Sequence, residues 1–166
     1  MNKTLNIEGI IYKVIKSTNN SITFCVLSSL GEKYTILSKG STKGYSKKNL
    51  FLEIGNKVNV EIVEGYTVPV LKSIALKTEC ELGKTSLEGF YYLSFICEVT
   101  GRIIFEGQEE ILIYILLEEI IYQTPKDIFL ELNYFLIRLM QLLGHELHFF
   151  SDLLIDKDKV QLNFSL

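Results

Sequence analysis

The chain holds only three cysteines, Cys25, Cys80 and Cys97, widely spaced and without a Cys-x-x-C pair. That scarcity argues against a disulfide framework and a zinc ribbon, and it fits a reducing cytosol. The opening residues Met-Asn-Lys-Thr-Leu-Asn-Ile-Glu lack the apolar core of a signal peptide. No stretch reaches the roughly 18 uninterrupted apolar residues of a spanning helix. Ile111–Tyr122 is short and carries Glu118 and Glu119, and Ile128–Leu143 is interrupted by Glu131, Asn133 and Arg138. A soluble, cytoplasmic protein is expected. Also missing are a nucleophile–base pair, a phosphate-binding glycine loop and a close carboxylate dyad, so no enzymatic activity is expected. His145 and His148 stand at i and i+3 just past Gly144, whereas a zinc-protease helix needs i and i+4. With no third ligand apparent, neither a metal nor another cofactor is expected.

One further absence organises the chain. No acidic residue occurs between Glu32 and Glu53, and that gap contains Ser38-Lys39-Gly40-Ser41-Thr42-Lys43-Gly44-Tyr45-Ser46-Lys47-Lys48. Its glycines and hydroxyl residues make it a loop leaving a strand. Short hydroxyls, backbone N–H groups and spaced ammonium groups are what a phosphate backbone requires. A solvated loop that touches nothing is the competing reading. The wider charge pattern favours the first: residues 1–79 carry +5 and residues 80–166 carry −8, within a net charge of −3. A basic first half and an acidic second half imply two modules with different partners.

The first half reads as strands. Ile7–Lys16 is rich in β-branched residues and ends in the turn formers 17–20. Ser21–Leu27 alternates, with Ile22, Phe24 and Val26 on one face and Thr23 and Cys25 on the other. Lys33–Leu37 runs into the basic loop, Asn49–Gly55 has room for one helical turn, Lys57–Glu64 alternates again, and Val68–Leu76 is a fifth strand whose Pro69 suits an edge or a strand start. Five strands with a long insertion after the third fit a barrel of the OB type. An SH3-like barrel fits the strand count, but the insertion favours OB. Such barrels hold single strands by stacking bases on aromatic residues and pairing the backbone with cations. Tyr12, Tyr34 and Tyr45, near Lys13, Lys16, Lys33, Lys39, Lys43, Lys47 and Lys48, are the candidates.

The second half reads as helices. Thr85-Ser86-Leu87-Glu88 has the spacing of a capping box opening a helix to about Phe105. Gly107 breaks it, and Gln108-Glu109-Glu110 opens a second helix with acids in its first turn. A third has Thr124 as cap, Pro125 in first position, Asp127 in the first turn and Gly144 as stop. Phe129, Leu132, Phe135, Leu136, Leu139, Leu142 and Leu143 form its apolar stripe. The tail 150–166 is irregular or a short final strand. The expected organisation is α+β: a basic barrel over 1–79, then an acidic helical domain over 80–166.

Three stretches carry a family resemblance. Glu8-Gly9-Ile10-Ile11 resembles the first strand of the bacterial recombination mediator RecO. Ser38-Lys39-Gly40 and the lysines after it resemble that family's Ala-Lys-Gly strand end and basic loop, and Phe135–His145 resembles its helical Phe-Glu-Leu-Arg-Leu-Leu-x-Leu-Leu-Gly-Tyr pattern. Leu136 replaces the family's Glu, His145 replaces its Tyr, and Ser151-Asp152 stand near the place of its zinc-binding cysteines. The resemblance therefore implies a short form without the zinc element. It further implies binding of single- and double-stranded DNA, annealing of complementary strands, and RecA loading with RecR and the acidic tail of single-stranded-DNA-binding protein. Arg138, with Arg102 and Lys126 as weaker companions, is the implied partner contact. The alternative is a protein-interaction adapter that works through the helical half, its barrel no longer holding DNA.

Overall fold

A computed structural model describes residues 3–16, 21–39, 51–64, 67–105, 107, 109–123 and 127–145. Five strands come first: β1 (Thr4–Lys16), β2 (Ser21–Ser28), β3 (Lys33–Lys39), β4 (Lys57–Val63) and β5 (Val70–Thr78). They close in the order β1-β2-β3-β5-β4, the topology of an OB barrel. All neighbours are antiparallel except β3 and β5, which meet in parallel at Leu37 and Val70. The long β1 serves two neighbours, pairing with β4 through its first half and β2 through its second.

The barrel interior is built by alternation: Ile22, Phe24 and Val26 from β2, Ile36 from β3, and Val58, Val60 and Ile62 from β4. β1 lacks clean alternation because a bulge lies between Ile11 and Lys13. The extra residue reverses the strand's parity, so Ile7 and Ile11 before it and Val14 after it all join the interior. Leu52, between β3 and β4, packs into the same cluster.

Among the described residues four helices follow: α1 (Leu82–Thr85), α2 (Leu87–Ile103), α3 (Ile111–Tyr122) and α4 (Ile128–Leu142). Their starts correct the expected caps. Because Leu82–Thr85 is itself a helical turn, Ser86 rather than Thr85 caps α2, its hydroxyl accepting from Gly89 N at 2.9 Å. Glu109 and Glu110 precede α3, whose first turn holds no acid. Asp127 caps α4 rather than lying in its first turn, accepting from Phe129 N and Leu130 N. Thr124 and Pro125 lie outside the described residues, as does the tail 150–166. Gly144 ends α4 as expected, with φ of +79°.

A second core lies outside the barrel. Ile10, Tyr12, Cys25 and Leu27 on the outer face of β1 and β2 pack with Tyr92, Leu93, Ile96 and Cys97 of α2, Ile113, Leu116, Leu117 and Ile120 of α3, and Phe135 and Leu139 of α4. The far face of β2, which carries Thr23, Cys25 and Leu27, is thus half covered by helices. Among the described residues, no helix is long and apolar enough to cross a membrane.

Candidate nucleic-acid interface

Paired residues of antiparallel strands project to the same side of a sheet. On the outer side of β1, β2 and β3 the register gives Lys13–Cys25–Thr35, then Ile15–Thr23–Leu37, then Ser21–Lys39. The helices cover this face from the Leu27 end up to Cys25, which is buried. Beyond Cys25 the face is open: Lys13, Ile15 and Lys39 are exposed, and Thr23, Thr35 and Leu37 are half-buried. Two ammonium groups therefore flank a strip of hydroxyl and aliphatic side chains, and in sequence the lysine-rich stretch 40–48, outside the described residues, follows β3. Glu98 of α2 borders the strip. The hydrogen bond from Arg102 holds its carboxyl below the usual range, and Lys13 lowers it further.

The other candidate residues are distributed as follows. Lys33 donates to the carbonyls of Gly101 at 2.8 Å and Ile104 at 3.2 Å, and its ammonium lies 5.8 Å from the Tyr12 ring centroid. Both carbonyls belong to the C-terminal end of α2, where a cation complements the helix dipole. Lys33 thus docks a helix on the barrel, away from the open strip. Tyr12 is buried against the helices. Tyr34 packs against the barrel-interior cluster and donates its hydroxyl to Glu32; burial first, then that hydrogen bond, raises its pKa to about 12. Neither ring lies on the strip. Lys16 ends β1 opposite Ile22. Lys43, Tyr45, Lys47 and Lys48 lie outside the described residues, as do Lys126 and His148. Of the implied partner contacts, Arg102 pairs with Glu98 at 2.8 Å and exposed Arg138 donates to Gln141 at 3.1 Å.

A second polar junction fastens the helices to the barrel. Lys57 of β4 pairs with Glu118 of α3 at 2.6 Å and Glu8 of β1 at 3.2 Å, and Tyr114 donates to the same Glu118. Lys77 joins Glu8 at 3.8 Å. The Glu118 hydrogen bond is the main reason that the Lys57 ammonium is held well above the usual lysine range, against a smaller opposing effect of burial.

Residues 84–165 match the family described as "Recombination protein O C terminal". This match covers α2 to α4, so the helical half carries the decisive likeness. The chain belongs to the RecO family. No curated protein matches the chain. Among solved structures, an asparaginyl-tRNA synthetase from Pyrococcus horikoshii is similar at 14% identity and a TM-score of 0.38, over 57% of this RecO-family chain and 26% of that one. The S. pombe Stn1-ten1 complex is similar at 12% identity and a TM-score of 0.37, over 61% of this chain and 78% of that one.

Sequence reasoning missed Ile15, Thr23 and Leu37 of the strip. Their signal was present in the alternation, but only the register shows which part of each strand the helices leave open. It also placed Phe129 in a core-facing stripe, whereas that ring is 79% exposed and only Phe135 and Leu139 of the stripe are buried.

Proposed function

We propose that this RecO-family chain is a non-enzymatic recombination mediator that binds single-stranded DNA on the open strip of its barrel. In this reading residues 1–79 hold nucleic acid and residues 80–166 hold protein partners. The observation that carries it is the uncovered outer face of β1, β2 and β3, flanked by Lys13 and Lys39 and continuous with the lysine-rich stretch 40–48. OB barrels bind oligonucleotides on the equivalent face. The strip offers aliphatic and hydroxyl side chains where an aromatic platform would otherwise stand, so the phosphate backbone supplies most of the affinity and base identity little. Annealing of complementary strands is the activity assigned to the barrel. RecA loading with a RecR-like protein and the acidic tail of single-stranded-DNA-binding protein, and contact with double-stranded DNA, complete the role.

The test is an annealing assay on complementary oligonucleotides precoated with single-stranded-DNA-binding protein. The chain should accelerate annealing, and Lys13→Gln with Lys39→Gln should slow it several-fold. Unaccelerated annealing would sink the mediator reading. The adapter reading is the second, and one observation favours it: Tyr91, Phe95 and Phe129 are broadly exposed on the helices, a larger aromatic surface than the strip presents.

A further inference from the structure

α2 and α4 enclose a groove of about 1510 Å³. Tyr91 and Phe95, one turn apart on α2, form one wall; Phe129 and Leu132 of α4 form the other; Tyr92, Ile121 and Tyr122 also line it. Tyr91 is 64%, Phe95 44% and Phe129 79% exposed. Solvated aromatic rings facing each other across a groove are the composition of a protein-docking centre.

The charge around those rings has one sign. Glu79, Glu81, Glu88, Glu98 and Asp127 line the groove, and no Lys, Arg or His is among its described lining residues. Lys84 and Arg102 neutralise Glu79 and Glu98 from outside it, and Asp127 is occupied in capping α4. Glu81 and Glu88 have no ion-pair partner among the described residues.

We propose that this groove docks a cationic, apolar-faced segment of a partner protein. Arginine or lysine side chains of the segment meet Glu81 and Glu88 and lie over the Tyr91, Phe95 and Phe129 rings, where cation–π attraction adds to the ion pairing. Its apolar side chains fill the space above Ile121 and Leu132. The acidic rim disfavours an acidic tail here, so this partner is distinct from the acidic one assigned under the mediator reading.

The experiment uses the full chain and a labelled synthetic amphipathic peptide with leucine on one face and arginine on its flanks. A twin carries glutamate for each arginine. By fluorescence anisotropy at low salt, the arginine peptide should bind at least about tenfold more tightly than its twin. Phe129→Ala, at an exposed position, should weaken it about tenfold, and Glu81→Gln with Glu88→Gln should narrow the ratio between peptides several-fold. The Lys13→Gln, Lys39→Gln variant should bind the peptide like wild type, which separates this surface from the DNA strip. Equal binding of the two peptides, no binding of either, tighter binding of the glutamate peptide, or indifference to Phe129→Ala would each overturn the proposal. Sedimentation showing a dimer that Phe129→Ala dissolves and the arginine peptide does not would also overturn it, making a second copy the occupant.

Discussion

Replacing Gly31 by alanine tests how the barrel is seated on its helices. Gly31 lies in the turn between β2 and β3 with φ of +85°, and its carbonyl accepts from Glu110 N at 3.1 Å. A Cβ built there would stand 2.3 Å from both the Glu110 carbonyl carbon and the Ile111 nitrogen. Those are backbone atoms at the start of α3 and have little freedom to yield. The left-handed backbone alone costs alanine about 1 kcal/mol, and forcing atoms into an occupied space adds roughly 1–3 kcal/mol. The total, about 2–4 kcal/mol, corresponds in a chain of this size to a Tm lower by roughly 4–16 °C. Gly144 supplies the control: its φ is +79°, but no described atom lies within 4 Å of a built Cβ, so Gly144→Ala should lower Tm by only about 2–4 °C. Differential scanning calorimetry gives both shifts. Hydrogen exchange should also quicken at Ile113 and Tyr114 in Gly31→Ala, because both amides bond to the Glu110 carbonyl. Equal Tm losses in the two variants would refute the close seating of the turn on α3.

Lys33→Met should destabilise by about 1–3 kcal/mol, since two helix-terminal carbonyls lose a charged donor. It should leave the salt dependence of DNA binding unchanged; a flatter salt slope would show that Lys33 faces the nucleic acid. Ser86→Ala should cost about 1 kcal/mol in urea denaturation and Thr85→Ala little, because Ser86 makes the cap; the reverse order would restore the Thr85 reading. Stability should be insensitive to Lys57 and Tyr34 up to about pH 10 and fall above it. Lys57 is raised by Glu118, and Tyr34 reaches about 12 through burial and Glu32. For both, the folded state holds its proton more tightly than the unfolded chain, so stability drains as pH climbs from the ordinary values toward the raised ones. Urea midpoints that rise between pH 10 and 12 would contradict this.

The barrel was legible because Ile22, Phe24 and Val26 of β2 and Val58, Val60 and Ile62 of β4 enter its interior at alternate positions, which leaves a period of two in the sequence. β1 was harder, since the bulge beside Tyr12 reverses its parity and removes the pattern. The helices announced themselves through caps, but adjacent hydroxyls at Thr85 and Ser86 made the exact start ambiguous until α1 was seen to take up the first. What no local pattern contained was which outer surface the helices would cover. Cys25 and Thr23 alternate identically in sequence, yet one is buried under helices and the other lines the open strip. For the same reason Lys33 looked like any other lysine near the basic loop. Phe129 fell on the apolar stripe of α4, but the stripe is wider than the surface offered by α2 and α3, and its first turn overhangs the groove.

The measurement that bears most directly on the central claim is the salt dependence of single-stranded DNA binding by the wild-type chain and by a Lys39→Gln, Lys43→Gln, Lys47→Gln, Lys48→Gln variant. If each lysine neutralises one phosphate, each contributes roughly 0.7 to the slope of log affinity against log salt, so the variant's slope should be shallower by up to about 3. Affinity should fall alike for unrelated sequences, because ammonium–phosphate contacts position the strand without reading bases. A control with Lys126, Lys157 and Lys159 replaced should keep nearly the wild-type slope. Absence of binding by the wild-type chain at low salt, or a four-lysine variant that retains the wild-type slope, would contradict the assignment of DNA binding to this face.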